Sequence, residues 1–284
     1  MQREKSQRSL IARLFRFIWR LIKTIIYTFF FFVALFIIIV IYQTSQATDE
    51  PFYDASAQIA GTEDYLHARC WRGLQNSNKY CMKYESTAAL NVAFSERRNQ
   101  LEVPREYWST DNGYWGYIYQ ELLRQNNEAV DYIADSLINL AQDKELHRSA
   151  MADLIVTFVQ DIPYVLINNK PCEADYQGPC RSDELYGILS PYEFLYSLEG
   201  DCDTRSVLLY ALLKRAGFHP IIMVSEEYAH AMIALDVAAT GDYIEYKRQK
   251  FYFWETTSHG WKPGMLPPDS NNKDYWKIAL AHEL

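Results

Sequence analysis

The chain has 284 residues, 28 basic against 36 acidic, with a formal net charge of −8 and 49% hydrophobic residues. That apolar content excludes a disordered polar chain, which lacks the side chains to build a core. The acid excess excludes a sequence-independent nucleic-acid binder, which needs basic surface.

Residues 24–42 are an uncharged, nearly all-apolar run, and about 20 such residues cross a bilayer core as a helix. Seven basic residues and one acidic residue precede it, so the positive-inside rule keeps residues 1–23 cytoplasmic and exports the remainder. Ser45-Gln46-Ala47 leaves open a cleaved signal peptide, although the apolar and basic regions are longer than such a peptide usually has. Seven basic and three acidic residues lie in residues 1–50, so 21 face 33 in the exported part. Residues 43–62 are small and polar and read as a tether. The expected plan continues with a lateral region at 63–145 and a catalytic core at 146–284.

Residues 65–85 read as two strands joined through the turn-forming cluster Gln75-Asn76-Ser77-Asn78, with a start in helix as the equal alternative. Cys70 and Cys81 flank that turn, and Cys172 and Cys180 bracket a short loop with Pro171 and Pro179 beside them. Both pairs are expected to be local disulfides of an oxidising compartment. Helical periodicity runs through Val130, Ile133, Leu137 and Leu140, and again from Met151 to Ile162, where Pro163 stops it. Residues 168–190 read as loop, and 191–198 as a lead into the next helix. That helix, residues 203–216, has an apolar face widened by Leu209 and Leu213, which predicts a buried central position. Gly217 stands at its expected C-cap. Four strands follow at 220–225, 229–237, 243–248 and 251–257, joined by short turns that imply an antiparallel sheet. Helices first and strands last predict an α+β domain.

Pairing four of the five cysteines leaves Cys202 alone, in the polar run Gly200-Asp201-Cys202-Asp203-Thr204-Arg205 at the head of the central helix. Many free cysteines are only small buried hydrophobes, but these neighbours are too polar for an ordinary core position. Free backbone N–H groups and the dipole at a helix N-terminus favour a thiolate. A nearby imidazole can hold the proton and return it to a leaving group. His230 opens an alternating strand, and Glu255 on the last predicted strand can fix its tautomer if the two strands are neighbours. His259 is a second candidate base, and Asp236 a second candidate orienting group, from the same strand as His230. No Cys-x-x-Cys or His-Glu-x-x-His spacing occurs, so neither a metal nor another cofactor is expected.

Three segments in order, GDCDTRSVLLYALLKRAG at 200–217, AHAMIAL at 229–235 and FYFWETTSHGW at 251–261, resemble the transglutaminase-like superfamily of papain-fold cysteine enzymes, over residues 150–262 or so. The resemblance implies a nucleophile helix packed on an antiparallel sheet, with Cys202 as nucleophile, His230 as general base and acid, and Glu255 as third triad member. The run FVQDIPY at 158–164 is similar to one that precedes the nucleophile in bacterial members, which makes Gln160 the expected oxyanion donor beside the Cys202 backbone N–H. The sequence departs from the family pattern at Thr204, where an acidic residue is usual two positions after the cysteine, and at Glu255, where Asp is commoner. The expectation is a membrane-anchored, extracytoplasmic thiol hydrolase or acyltransferase. It cleaves an amide of a peptide or protein substrate, and water is favoured over an amine as acceptor. An inactive interaction module on the same fold is the alternative.

Overall fold

The computed structural model describes residues 55–281 except 76, 110, 126 and 127, together with scattered helical positions between 19 and 36. The chain divides into two units, Met1–Phe52 and Tyr53–Leu284. The expected span at 24–42 falls mostly outside the described residues. Its described positions are helical, and among the described residues no helix is long and apolar enough to cross a membrane.

In the second unit β1 (Ala55–Gln58), β2 (Tyr65–Arg72) and β3 (Lys79–Ser86) form an antiparallel sheet in chain order. The polar stretch read as a tether to residue 62 therefore already contains a strand. Alternate residues of the hairpin point inward: His67, Arg69 and Trp71 from β2, Tyr80 and Tyr84 from β3, the two-residue period of a half-buried sheet. Cys70 sits directly opposite Cys81, and the two are bonded. The buried Trp71 indole donates to the Leu154 carbonyl at 3.0 Å, so the sheet joins the core rather than standing beside it.

Helices α1 (Ala88–Asn99), α2 (Asp111–Arg124), α3 (Glu128–Asp143) and α4 (Arg148–Gln160) follow. Every residue from Ala152 to Gln160 is buried, as an element enclosed on all sides requires. The segment 191–198, read as a mere lead-in, is a helix, α5 (Pro191–Ser197). It starts at a reciprocal cap between Ser190 and Glu193, with Pro191 in its first turn. The central helix α6 (Cys202–Arg215) packs on α3, α4 and α5 and on the second sheet. Gly217 follows it at φ +78°.

That sheet holds β6 (Ile221–Ser225), β7 (His230–Leu235), β8 (Tyr243–Tyr246), β9 (Gln249–Trp254) and β10 (Lys277–Ala281). All its pairings are antiparallel, in the order β10-β6-β7-β9-β8. Two features differ from the strands read in sequence. Strand β9 lies inside β8 and pairs with β7, because Phe251, Phe253 and Trp254 demand burial whereas β8 has no buried residue. Strand β10 closes the other edge and packs under α2. One face of the sheet meets α6 through Ile222, Val224, Ala231 and Ile233. The opposite face holds a smaller core of Met223, Met232, Phe251, Phe253 and Trp276. A short parallel pair, β4 (Leu166–Ile167) with β5 (Cys180–Arg181), crosses the stretch read as loop, and Cys172 is bonded to Cys180 within it. The unit is α+β, with a central helix on an antiparallel sheet.

Candidate active site

Cys202 is the first residue of α6, set there by Asp201, whose carboxylate accepts the Thr204 N–H at 3.2 Å as an N-cap. Its thiol is free and the residue is 6% exposed. The other four cysteines form the two disulfides.

His230 is the first residue of β7, reached through Ala229 at φ +44°. Glu255 directly follows β9. Because β7 and β9 are neighbours, the ring and the carboxylate meet: His230 Nε2 donates to Glu255 Oε2 at 2.8 Å. The other oxygen, Oε1, accepts the N–H groups of Thr256 and Thr257 at 2.8 and 2.9 Å and the Thr257 hydroxyl at 2.7 Å. The carboxylate is thereby immobilised, and Nδ1 is left as the ring nitrogen for other work.

Cys202 and His230 line one cavity of about 680 Å³ with Asp201, Asp203, Tyr164 and Trp115. Tyr114, Tyr186, Asn168 and Asn169 complete its aromatic and amide wall. The Cys202 thiol also lies near the Ala231 backbone N–H.

Electrostatics run partly against the sequence reading. Burial pushes the Cys202 thiol up, and Asp203 and Asp201 push it further, against a downward pull from the Ala231 N–H. A helix N-terminus alone would favour the thiolate, but desolvation and two carboxylates outweigh it. Burial and Asp203 also carry Asp201 up to about 7, and burial raises Asp203, whose carboxylate accepts the Tyr119 hydroxyl. For His230 burial acts downward, but the Glu255 hydrogen bond and the charges of Glu255, Asp203 and Asp201 carry it above its ordinary value. For Glu255 burial acts upward, and the bond to His230 with the Thr257 donors brings it below the ordinary carboxylate value.

The expected oxyanion donor needs correction. Gln160 is 2% exposed, and Nε2 donates to the backbone carbonyls of Glu255 at 2.7 Å and Trp261 at 3.0 Å. Both amide hydrogens are spent inside the protein, and the side chain is not among those lining the cavity. Tyr164, from the same sequence run, is the residue that reaches it. Its hydroxyl has no hydrogen-bond partner among the described residues, and burial raises it, followed by Cys202 and Asp201.

The rival residues lie elsewhere. Asp236 is held by His219 at 3.0 Å and Arg148 at 3.3 Å, and His259 is exposed in a turn that does not line the cavity. Thr204 sends its hydroxyl oxygen to the Leu189 N–H at 3.1 Å, a purely internal contact. Tyr164 lies in the run singled out for Gln160, whereas Tyr186 and the two asparagines carry no sequence signal, because loops bring them to the cavity. Among the described residues no group of three or more His, Cys, Asp or Glu side chains is placed to hold a metal ion.

No family model, no curated protein and no solved structure matches this chain.

Proposed function

We propose that the chain is a thiol hydrolase or acyltransferase of transglutaminase-like, papain-fold type, acting on an amide of a peptide or protein. The observation that carries this is the 2.8 Å contact between His230 and an immobilised Glu255 at the wall of the cavity that holds the single free thiol. In this reading the Cys202 proton passes to His230 Nδ1, and Sγ attacks the amide carbonyl carbon. The oxyanion is met by the Cys202 backbone N–H at the open end of α6 and by the Tyr164 hydroxyl. Collapse breaks the C–N bond, His230 protonates the departing amine, and a thioester remains on Cys202. A water activated by His230 then attacks it, yields the acid and restores the thiol. Glu255 holds the ring in the tautomer these transfers need. The two disulfides support an oxidising location, and with the apolar run at 24–42 they favour an anchored, extracytoplasmic enzyme.

The test is labelling of the whole chain with a thiol-directed acylating probe. Wild type takes up one label at Cys202, His230→Ala slows the labelling at least tenfold, and Cys202→Ala abolishes it with an unchanged circular dichroism spectrum. A wild-type thiol that stays unlabelled across neutral and alkaline pH sinks the enzyme. The second reading, a non-catalytic binding module, would then stand, and the upward push on the thiol from burial and Asp203 is what favours it.

A further inference from the structure

Two buried side chains outside the proposed triad converge on the segment after β9. Gln160, at the end of α4, donates to the carbonyls of Glu255 and Trp261. Its Oε1 accepts nothing among the described residues, so the residue contributes through its donors. Arg205, one turn into α6, donates from Nη1 to the Thr256 carbonyl at 3.3 Å and the Val159 carbonyl at 2.9 Å. Its Nη2 reaches the Ile162 carbonyl at 2.5 Å and its Nε the Gly200 carbonyl at 3.0 Å. Arg205 is fully buried, and all four of its hydrogen bonds go to backbone carbonyls. A buried cation held by neutral carbonyls and by the rings of Tyr164 and Phe194 is a costly way to fill space. Its four acceptors lie just before the nucleophile, at the end of α4 and just after Glu255. Consecutive carbonyls, Glu255 and Thr256, are thus gripped from two different helices.

We infer that Gln160 and Arg205 are positioning residues that hold the Cys202 end of α6 in register with the Glu255–His230 pair. This rests on the proposed function, since it assigns the clamp a purpose in that site. Loosening the Glu255 backbone weakens the support of a protonated His230, so the thiolate becomes harder to form. In Gln160→Met the midpoint of Cys202 alkylation against pH therefore moves alkaline by about one unit, and the rate near neutrality falls about tenfold. The His230 ring titration, followed by NMR, moves to lower pH in the same variant. Arg205→Lys, which keeps the charge but reaches fewer carbonyls, moves both in the same directions. A merely structural role would lower the melting temperature and leave both midpoints in place, and that result overturns the clamp. If neither variant folds, the Gln160 side-chain amide resonance of the unaltered protein decides: a shift that follows the His230 titration supports the clamp, and a flat one overturns it. An unreactive Cys202 in the unaltered protein defeats the functional reading instead, and the NMR midpoints still judge the clamp.

Discussion

At the residue scale the site is a contest between burial and charge. The thiol of Cys202 is raised by burial and by two flanking carboxylates, one of which, Asp203, also accepts the Tyr119 hydroxyl. Replacing Asp203 with Asn removes a like charge from beside the developing thiolate. The expected outcome is faster alkylation of Cys202 at neutral pH, by about tenfold for one unit of downward shift, read from iodoacetamide kinetics. The His230–Glu255 pair also sets a pH window for stability. His230 is raised when folded, so its contribution is fully present below its ordinary value of 6.5 and is lost as pH climbs through the folded value. Glu255 is lowered when folded, so its contribution is present above 4.5 and is lost as pH falls through the folded value. Between 4.5 and 6.5 both are complete. Glu255→Gln should therefore lose most stability in that window, about 2 kcal/mol for a charged hydrogen bond, with a smaller gap on either side. Thermal melts of both proteins across pH check it, and a constant gap would refute the pairing.

At the scale of elements, the sheet order decides which side chains meet. The apolar residues of β9 take the interior place beside β7, and the half-exposed β8 takes the edge. That choice carries Glu255 to His230. The opposite edge depends on β10 and the helix above it. A methyl group added at Gly116 in α2 would run into the backbone carbonyl of Ala279 in β10. Gly116→Ala should therefore destabilise by about 1–3 kcal/mol, as overpacking does. Hydrogen exchange should show the loss first in β10, and an unchanged melting temperature would mean that the two elements are less tightly apposed. The central helix, by contrast, was readable almost to the residue: predicted at 203–216, it runs from Cys202 to Arg215, because an apolar face and a terminal Gly are both local signals. Helix α5 and strand β10 were among the elements missed. The first is too short for its period to show, and the second is half-buried and far in sequence from the strand it joins.

At the scale of the whole molecule, two disulfides close small loops, with sequence separations of 11 and 8 residues. Loops of this size contribute about 2–3 kcal/mol each through the unfolded chain. Replacing Cys172 and Cys180 with Ser should lower the melting temperature accordingly. If the proposed function holds, it should also raise the concentration of peptide needed for half-maximal rate, since residues 168–187 contribute Asn168, Asn169 and Tyr186 to the cavity. Replacing Cys70 and Cys81 should cost stability alone, because their hairpin lies outside that lining; an equal effect of both pairs on substrate concentration would argue against the cavity as the binding site. The second unit is continuous from β1 to β10, so the stretch read as a lateral region is bound into the core through Trp71 and through Arg98, which meets Glu193 of α5 at 3.0 Å.

The candidate trio of Cys202, His230 and Glu255 came from three separated segments and their resemblance to a known family; what near neighbours along the chain determined was the hairpin with its cross-strand cystine, the helix that presents Cys202 and the strands after it. Short-range periodicity, capping and turn chemistry are enough for those. Only the tertiary structure decided that β9 lies beside β7, that Tyr164 rather than Gln160 reaches the cavity, and that burial turns the thiol against ionisation. Strand order is settled by which surfaces must be hidden from water. The direction of an amide and the solvation of a sulfur are set by atoms up to a hundred residues away in the chain.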